Sequence, residues 1–202
     1  MPSLNLEKQL WARGFVRVVG VDEVGMAALA GPVVSAAVLV LPGCRIVRAV
    51  RDSKVLTREV REGLVPLIRE RATSIGIGAA SVAEIHRLNI YHASHLAMQR
   101  ALRQIGDFDH VLVDGKRILD PTFAPGKHTE VVKGDARSFA IAAASIVAKV
   151  TRDRLLNTYD KIFPQYGFRQ HKGYPTESHR KAIREHGPSP IHRRTFRLTH
   201  DV

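Results

Sequence analysis

Apolar positions along the chain follow two rhythms. Residues 15–21 are rich in β-branched valine and read as a buried strand, and the apolar residues 33–41 read as a second strand. Pro42-Gly43 ends the second run. Residues 73–81 are small and apolar and predict a third strand. Two short apolar runs follow. Residues 110–113 lead into Asp114-Gly115, and residues 130–132 lead into Lys133-Gly134-Asp135. Between these lie helical rhythms. Residues 4–12 predict a short helix. Thr57 can cap a helix through residue 71, with Val60, Leu64, Leu67 and Ile68 on one face. Residues 82–105 are helical material with Leu96, Ala97, Ala101 and Leu102 facing inward. Residues 137–159 form the most regular helix, Ala-rich, with Ile141, Ala144, Ala148, Thr151 and Leu155 as its buried stripe. From Phe163 onward the chain is polar, basic and rich in histidine, and residues 176–186 predict a surface helix. Strands and helices in this order imply an α/β domain with a mixed central sheet flanked by helices. They divide the chain into a main domain, residues 1–160, and a small, basic, helical C-terminal subdomain, residues 161–202. No internal repeat or low-complexity tract interrupts the pattern.

The chain has 202 residues, enough to bury a proper core. Its net charge of +12 concentrates polyanions around it and makes nucleic acid the first partner to consider, with anionic membrane second. Cys44 is the only cysteine, so no intrachain disulfide can form, which suits a reducing compartment. The first residues lack the layout of a signal peptide. The most apolar stretch, residues 29–41, is too short to span a bilayer and carries Gly31-Pro32. These features lead to the expectation of a cytoplasmic monomer that does not engage a membrane.

Against this basic background, carboxylates stand at strand ends. Asp22-Glu23 follows the first strand, Asp114 the fourth, and Asp135 lies just beyond the fifth, ahead of the long helix. Ligands of open α/β sheets bind outside strand termini. Clustered carboxylates repel one another unless a cation sits among them. Oxygen-only ligands suit Mg²⁺ or Mn²⁺. Two such ions could activate a water and stabilise a leaving oxygen in phosphodiester hydrolysis. Each acid taken singly also has a plainer reading: Asp114-Gly115 fits a turn, Asp135 a helix cap, and Asp22-Glu23 a strand end. Spacing alone does not bring the four together.

The chain resembles bacterial ribonuclease HII along nearly its whole length. The resemblance rests on "GVDEVG" (20–25) with "LAGPVVSAAVLV" (29–40), "DSKVLT" (52–57), "EIHRLNI" (84–90), "LVDG" (112–115), "VVKGDARSFAIAAASIVAKVTRDRL" (131–155), "YGFRQHKGYPTESH" (166–179) and "HRRTF" (192–196), all in this order. It implies a ribonuclease H-like fold for the catalytic domain. It implies two-metal-ion hydrolysis on the 5′ side of a ribonucleotide, leaving 3′-hydroxyl and 5′-phosphate ends. The implied substrates are RNA–DNA hybrids and duplex DNA with embedded ribonucleotides. It places the catalytic, metal-binding acids on Asp22, Glu23, Asp114 and Asp135. It also implies that Tyr174 stacks on the sugar beyond the scissile junction and that Lys54 lies near substrate phosphate.

One motif departs from the family pattern. Gly-Arg-Gly is replaced by Gly25-Met26-Ala27, and the proline that follows is replaced by Ala28. In the family, backbone groups of this tripeptide read the 2′-hydroxyl. Ala27 adds a Cβ where glycine allows close approach. Met26 cannot make the charge-assisted phosphate contact of an arginine. The departure leads to the expectation that single embedded ribonucleotides are cut less well than longer hybrids. It also supports an alternative, a catalytically weakened hybrid-binding protein on the same fold. A resolvase-like nuclease or a ribonuclease HIII is a third reading, which the 131–155 block disfavours.

Other polar residues suggest plainer roles. Ser138 and Ser145 fit packing or capping, and Asp153 an ion pair within its helix. His171, His179, His186 and His192 lack the Cys partners and tight pairing of a zinc motif, and are expected on a solvated, partly protonated surface.

Overall fold

The computed structural model describes residues 1–51, 53–115, 118 and 123–199. A short helix, α1 (Asn5–Ala12), precedes an antiparallel pair of strands, β1 (Val18–Val24) and β2 (Val33–Val40). Helix α2 (Arg58–Arg71), strand β3 (Ser74–Ala80) and helix α3 (Val82–Ile105) follow. Strands β4 (His110–Asp114) and β5 (His128–Val131) lead to the long helix α4 (Phe139–Ile162). A single turn, α5 (Phe168–His171), and helix α6 (Glu177–His186) complete the order.

The five strands form one mixed sheet in the order β3-β2-β1-β4-β5. The β1–β2 and β2–β3 pairs are antiparallel, and the β1–β4 and β4–β5 pairs are parallel. Side chains alternate between faces. Ala36, Val38 and Val40 of β2 pack beneath α4 and α2. Ala37 and Leu39 pack with Val19, Val21, Val111 and Val113 against α3. Both faces are thus covered, which is why these strands read as continuous apolar runs rather than alternating ones.

Helix α4 crosses β1 at Gly20, where a Cβ would strike the α4 backbone and meet the Cβ of Ala140 at 2.6 Å. Small residues on both sides make this close crossing possible. Gly20→Ala is therefore expected to destabilise the fold by about 3 kcal/mol, as overpacking against an immovable backbone does. The urea midpoint of unfolding checks this.

Several boundaries differ from the expectations. Strand β1 starts three residues later than the apolar run and extends through Asp22 and Glu23, so both acids lie within a strand end rather than after it. Strand β5 ends at Val131, leaving Val132 half-exposed. In α2, Leu64, Val65 and Ile68 form the buried face while Val60 and Leu67 are exposed; Thr57 caps the helix by accepting from the Val60 amide. In α3, Asn89 at φ 65° kinks the helix, and Leu96 is only partly buried. Helix α4 has no single stripe. Residues 139–148 are buried on every side, wedged between the sheet, α1 and α2, and Thr151 and Leu155 are partly exposed.

The largest correction concerns histidine. Of His171, His179, His186 and His192, only His186 is exposed; the other three are buried beside Tyr166 and Phe168. Their rings wire into one another. His179 donates from Nδ1 to the Tyr174 carbonyl, and its Nε2 meets His192 Nε2 at 3.0 Å. His192 Nδ1 accepts from the Ser189 amide at 2.8 Å. Only neutral rings satisfy this pattern, in which His192 donates to His179. Burial is the main cause that pushes both rings down to about 4. Periodicity could not show this, because histidine counts as polar in any pattern. The cluster around these rings also takes in Leu29, Ala30 and Leu156. No helix among the described residues is long and apolar enough to cross a membrane.

Candidate active site

The parallel register pairs Val21 of β1 with Val113 of β4. One residue further along each strand stand Asp22 and Asp114, side by side and on the α4 face. Glu23, near the end of β1, joins them in a recess of about 270 Å³. Its other walls are Gly25, Met26 and Ala27 from the loop after β1, Ser53, Ser145 and Lys149 of α4, and Tyr174.

Asp22 is buried at the base of the recess. Its Oδ1 accepts from the Glu23 amide at 2.8 Å, and the Ser145 hydroxyl donates to the same carboxylate. Ser145 in turn shares a 2.9 Å hydrogen bond with Ser53. Burial, followed by the charges of Glu23 and Asp114, pushes the Asp22 carboxyl well above its usual range, outweighing those donors. Asp114 Oδ1 accepts from the Gly134 amide at 2.6 Å. This bond ties the end of β4 to the turn of residues 134–136, which carries Asp135. Asp135 is buried in that turn and does not line the recess.

Helix α4 brings a polar ladder to the opposite wall. Ser145, Lys149 and Asp153 are spaced four apart and share one face. Lys149 pairs with Asp153 at 2.7 Å, and burial is the main cause that lowers its pKa. Arg61 of α2 lies 3.7 Å from Asp153 and donates to the carbonyls of Ser53 and Leu56. That arrangement fixes the turn containing Ser53. Lys54 lies in the same turn, and its side chain falls outside the described residues. Lys149 Nζ and the Arg152 guanidinium each stand 5.4 Å from the centre of the Tyr174 ring.

The structure therefore gathers Asp22, Glu23, Asp114, Gly25, Met26, Ala27 and Tyr174 into one recess, with Asp135 in the turn beside it. Ser53, Ser145, Lys149, Arg152 and Arg193 are the residues that sequence reasoning missed or read as packing. Three carboxylates lining one recess, with oxygen donors only, are the donor chemistry that suits a hard divalent cation. Among the described residues, no three such side chains form a ready-made cage. Like charges splay apart, and Mg²⁺ is held through one or two carboxylates with water and substrate phosphate completing its shell, so the donor set fits.

Residues 19–199 match the sequence model of the family described as ribonuclease HII. The chain belongs to the ribonuclease HII family. It is an endoribonuclease of the ribonuclease H type 2 class. A ribonuclease HII of Synechococcus sp. (strain JA-3-3Ab) is 48% identical over 204 residues, covering 100% of this chain and 90% of that protein. Among solved structures, the ribonuclease H2 of Pyrococcus horikoshii OT3 superposes with a TM-score of 0.74 at 25% identity, over 90% of this chain and 94% of that one. The structure described as Bst-RNase HIII in complex with Mn²⁺ superposes with a TM-score of 0.72 at 18% identity, over 98% of this chain and 72% of that one. The fold is thus the ribonuclease H-like α/β fold expected of the family, with the short helical extension after α4.

Proposed function

We propose that this family member hydrolyses the phosphodiester on the 5′ side of ribonucleotides in RNA–DNA hybrids and of ribonucleotides embedded in duplex DNA. Asp22, Glu23, Asp114 and Asp135 hold the divalent cations, Mg²⁺ or Mn²⁺, in a two-metal-ion hydrolysis. The observation that carries this reading is the convergence of Asp22, Glu23 and Asp114 on one recess that Lys149 and Tyr174 also line. When bound, the ions supply the nucleophile-activating and charge-stabilising chemistry of phosphodiester hydrolysis. The chain's own residues orient and bind. Ser145 and Gly134 fix Asp22 and Asp114. Lys149 and Lys54 attract substrate phosphate. Tyr174 gives a partly exposed aromatic ring for a sugar or base.

Gly25, Met26 and Ala27 line the same recess, and their backbone is assigned to reading the 2′-hydroxyl. Residues 161–202 serve as the basic subdomain that brings Tyr174 to the substrate. The presence of Tyr174 in the recess and the net charge of +12 support this. The protein acts as a cytoplasmic monomer without a membrane role.

The test is cleavage of a DNA duplex carrying one ribonucleotide beside one carrying four, in Mg²⁺ and then Mn²⁺. Both are expected to be cut 5′ of a ribonucleotide, the single one less efficiently, because Ala27 stiffens the reading loop. Equal efficiency removes the loop from junction selection. Binding of both without cleavage of either would favour the weakened-binder alternative.

A further inference from the structure

Two guanidinium groups, both wholly buried, hold the loop of residues 25–32 through its main-chain carbonyls. Arg152 of α4 donates from Nε to Pro32 O at 3.0 Å, from Nη2 to Ala30 O at 2.9 Å, and from Nη1 to Lys172 O at 2.9 Å. Arg193 donates from Nε to Gly31 O at 2.9 Å and from Nη1 to Met26 O at 3.0 Å. Neither forms an ion pair with a described residue, and the Nη2 of Arg193 is buried with no hydrogen-bond partner. Burying charge against carbonyl dipoles alone is expensive, and apolar packing would hold a loop at lower cost. A guanidinium adds a rigid planar fork that fixes several acceptors at set separations.

The fork of Arg152 reaches both sides of the recess. It holds the loop at Ala30 and Pro32, it holds the turn at Lys172, and it lies against the Tyr174 ring. Gly25, at φ 99°, sits so close to Arg152 that a Cβ there would strike its Nε. The loop is seated directly on this side chain.

We propose that Arg152 and Arg193 are positioning residues that set the separation between the Gly25-Met26-Ala27 backbone and the Tyr174 ring, and through it the efficiency on single embedded ribonucleotides relative to continuous hybrid. This rests on the reading of that loop and of Tyr174 as substrate contacts. A lone ribonucleotide offers one 2′-hydroxyl, which loop and ring must meet together. A continuous RNA strand offers one at every register and tolerates a displaced loop.

The experiment measures kcat and KM of Arg193→Lys on a duplex with one ribonucleotide and on an RNA–DNA hybrid, with Mg²⁺, alongside thermal melting. Lysine keeps the charge and loses the fork. The ratio of kcat/KM values is expected to shift toward the hybrid on the order of tenfold, mostly in kcat, as misplacement of reacting groups does. An equal loss on both substrates, or no change, overturns the proposal. Arg152→Lys, read the same way, answers the question if Arg193→Lys does not fold. In a Tyr174→Ala background the Arg193→Lys ratio shift should vanish, because one of the two positioned groups is gone; a fully additive effect also overturns it. Tyr174→Ala alone separates the underlying reading. If it leaves both substrates unchanged, Tyr174 is no substrate contact, whatever the arginine variants do.

Discussion

Asp22→Asn is expected to abolish cleavage and leave the protein at least as stable as before. Asparagine keeps the shape of the side chain and can still accept from the Ser145 hydroxyl and the Glu23 amide. It removes one of three negative charges that crowd the recess. Loss of a principal charge-stabilising group costs on the order of 10³-fold in rate, and removal of a metal ligand no less. The stability effect runs the other way. The Asp22 charge is buried beside Glu23 and Asp114, so removing it relieves both desolvation and repulsion. In metal-free buffer the variant should melt at or above the wild-type temperature. Added Mg²⁺ should raise the melting temperature of the wild type, by mass action on the folded state, and leave the variant nearly unmoved. A variant that loses activity because it unfolds, or one that Mg²⁺ stabilises as fully as the wild type, would contradict the assignment of Asp22 as a ligand.

Acidification is the second large lever. The folded-state pKa values of His179 and His192, about 4, lie below the ordinary histidine value of 6.5. A depressed pKa contributes stability that is complete above 6.5 and is lost as pH falls from 6.5 toward 4. For this coupled pair the loss is on the order of 3 kcal/mol. Burial also lowers His171, which adds in the same direction. Glu84, held down to about 2 by Arg100, loses its contribution only below about 4.5, outside most of this window. Glu7 and Asp22 are raised by burial and gain stability on acidification, offsetting part of the loss. Urea midpoints at pH 7, 6 and 5 should therefore fall steadily for the wild type. A His179→Gln, His192→Asn double variant should give a flatter profile, and an equally steep one would place the pH dependence elsewhere.

The sheet was legible because its strands are buried on both faces, so apolar runs marked them directly. Acids at the ends of two adjacent parallel strands were legible as a candidate site because the fold delivers such positions to one edge. What stayed hidden was polar and buried. Ser145, Lys149 and Asp153 are polar positions four apart in an otherwise apolar helix. That stripe was a readable signal that part of α4 faces a polar recess, yet each residue taken alone suggested packing or an ion pair. Arg152, Arg193 and the buried histidines gave no signal. Their partners are main-chain carbonyls and one another, brought together by tertiary structure alone, and residue type by itself places Arg and His on the surface.

The loop after β1 has one further property. Its Ala30 bridges to His192, Gly31 donates to the Ile191 carbonyl, and Leu29 accepts from the Arg193 amide. Gly31 and Arg193 are 162 residues apart in sequence. Contacts this distant are reached late, since loop-closure entropy is met before they form. On the ribosome, Asp22, Glu23 and Asp114 emerge long before residues 191–193. A nascent chain thus carries its acids without the frame that shapes the loop beside them, and the recess closes into its final form only after residues 191–193 have emerged.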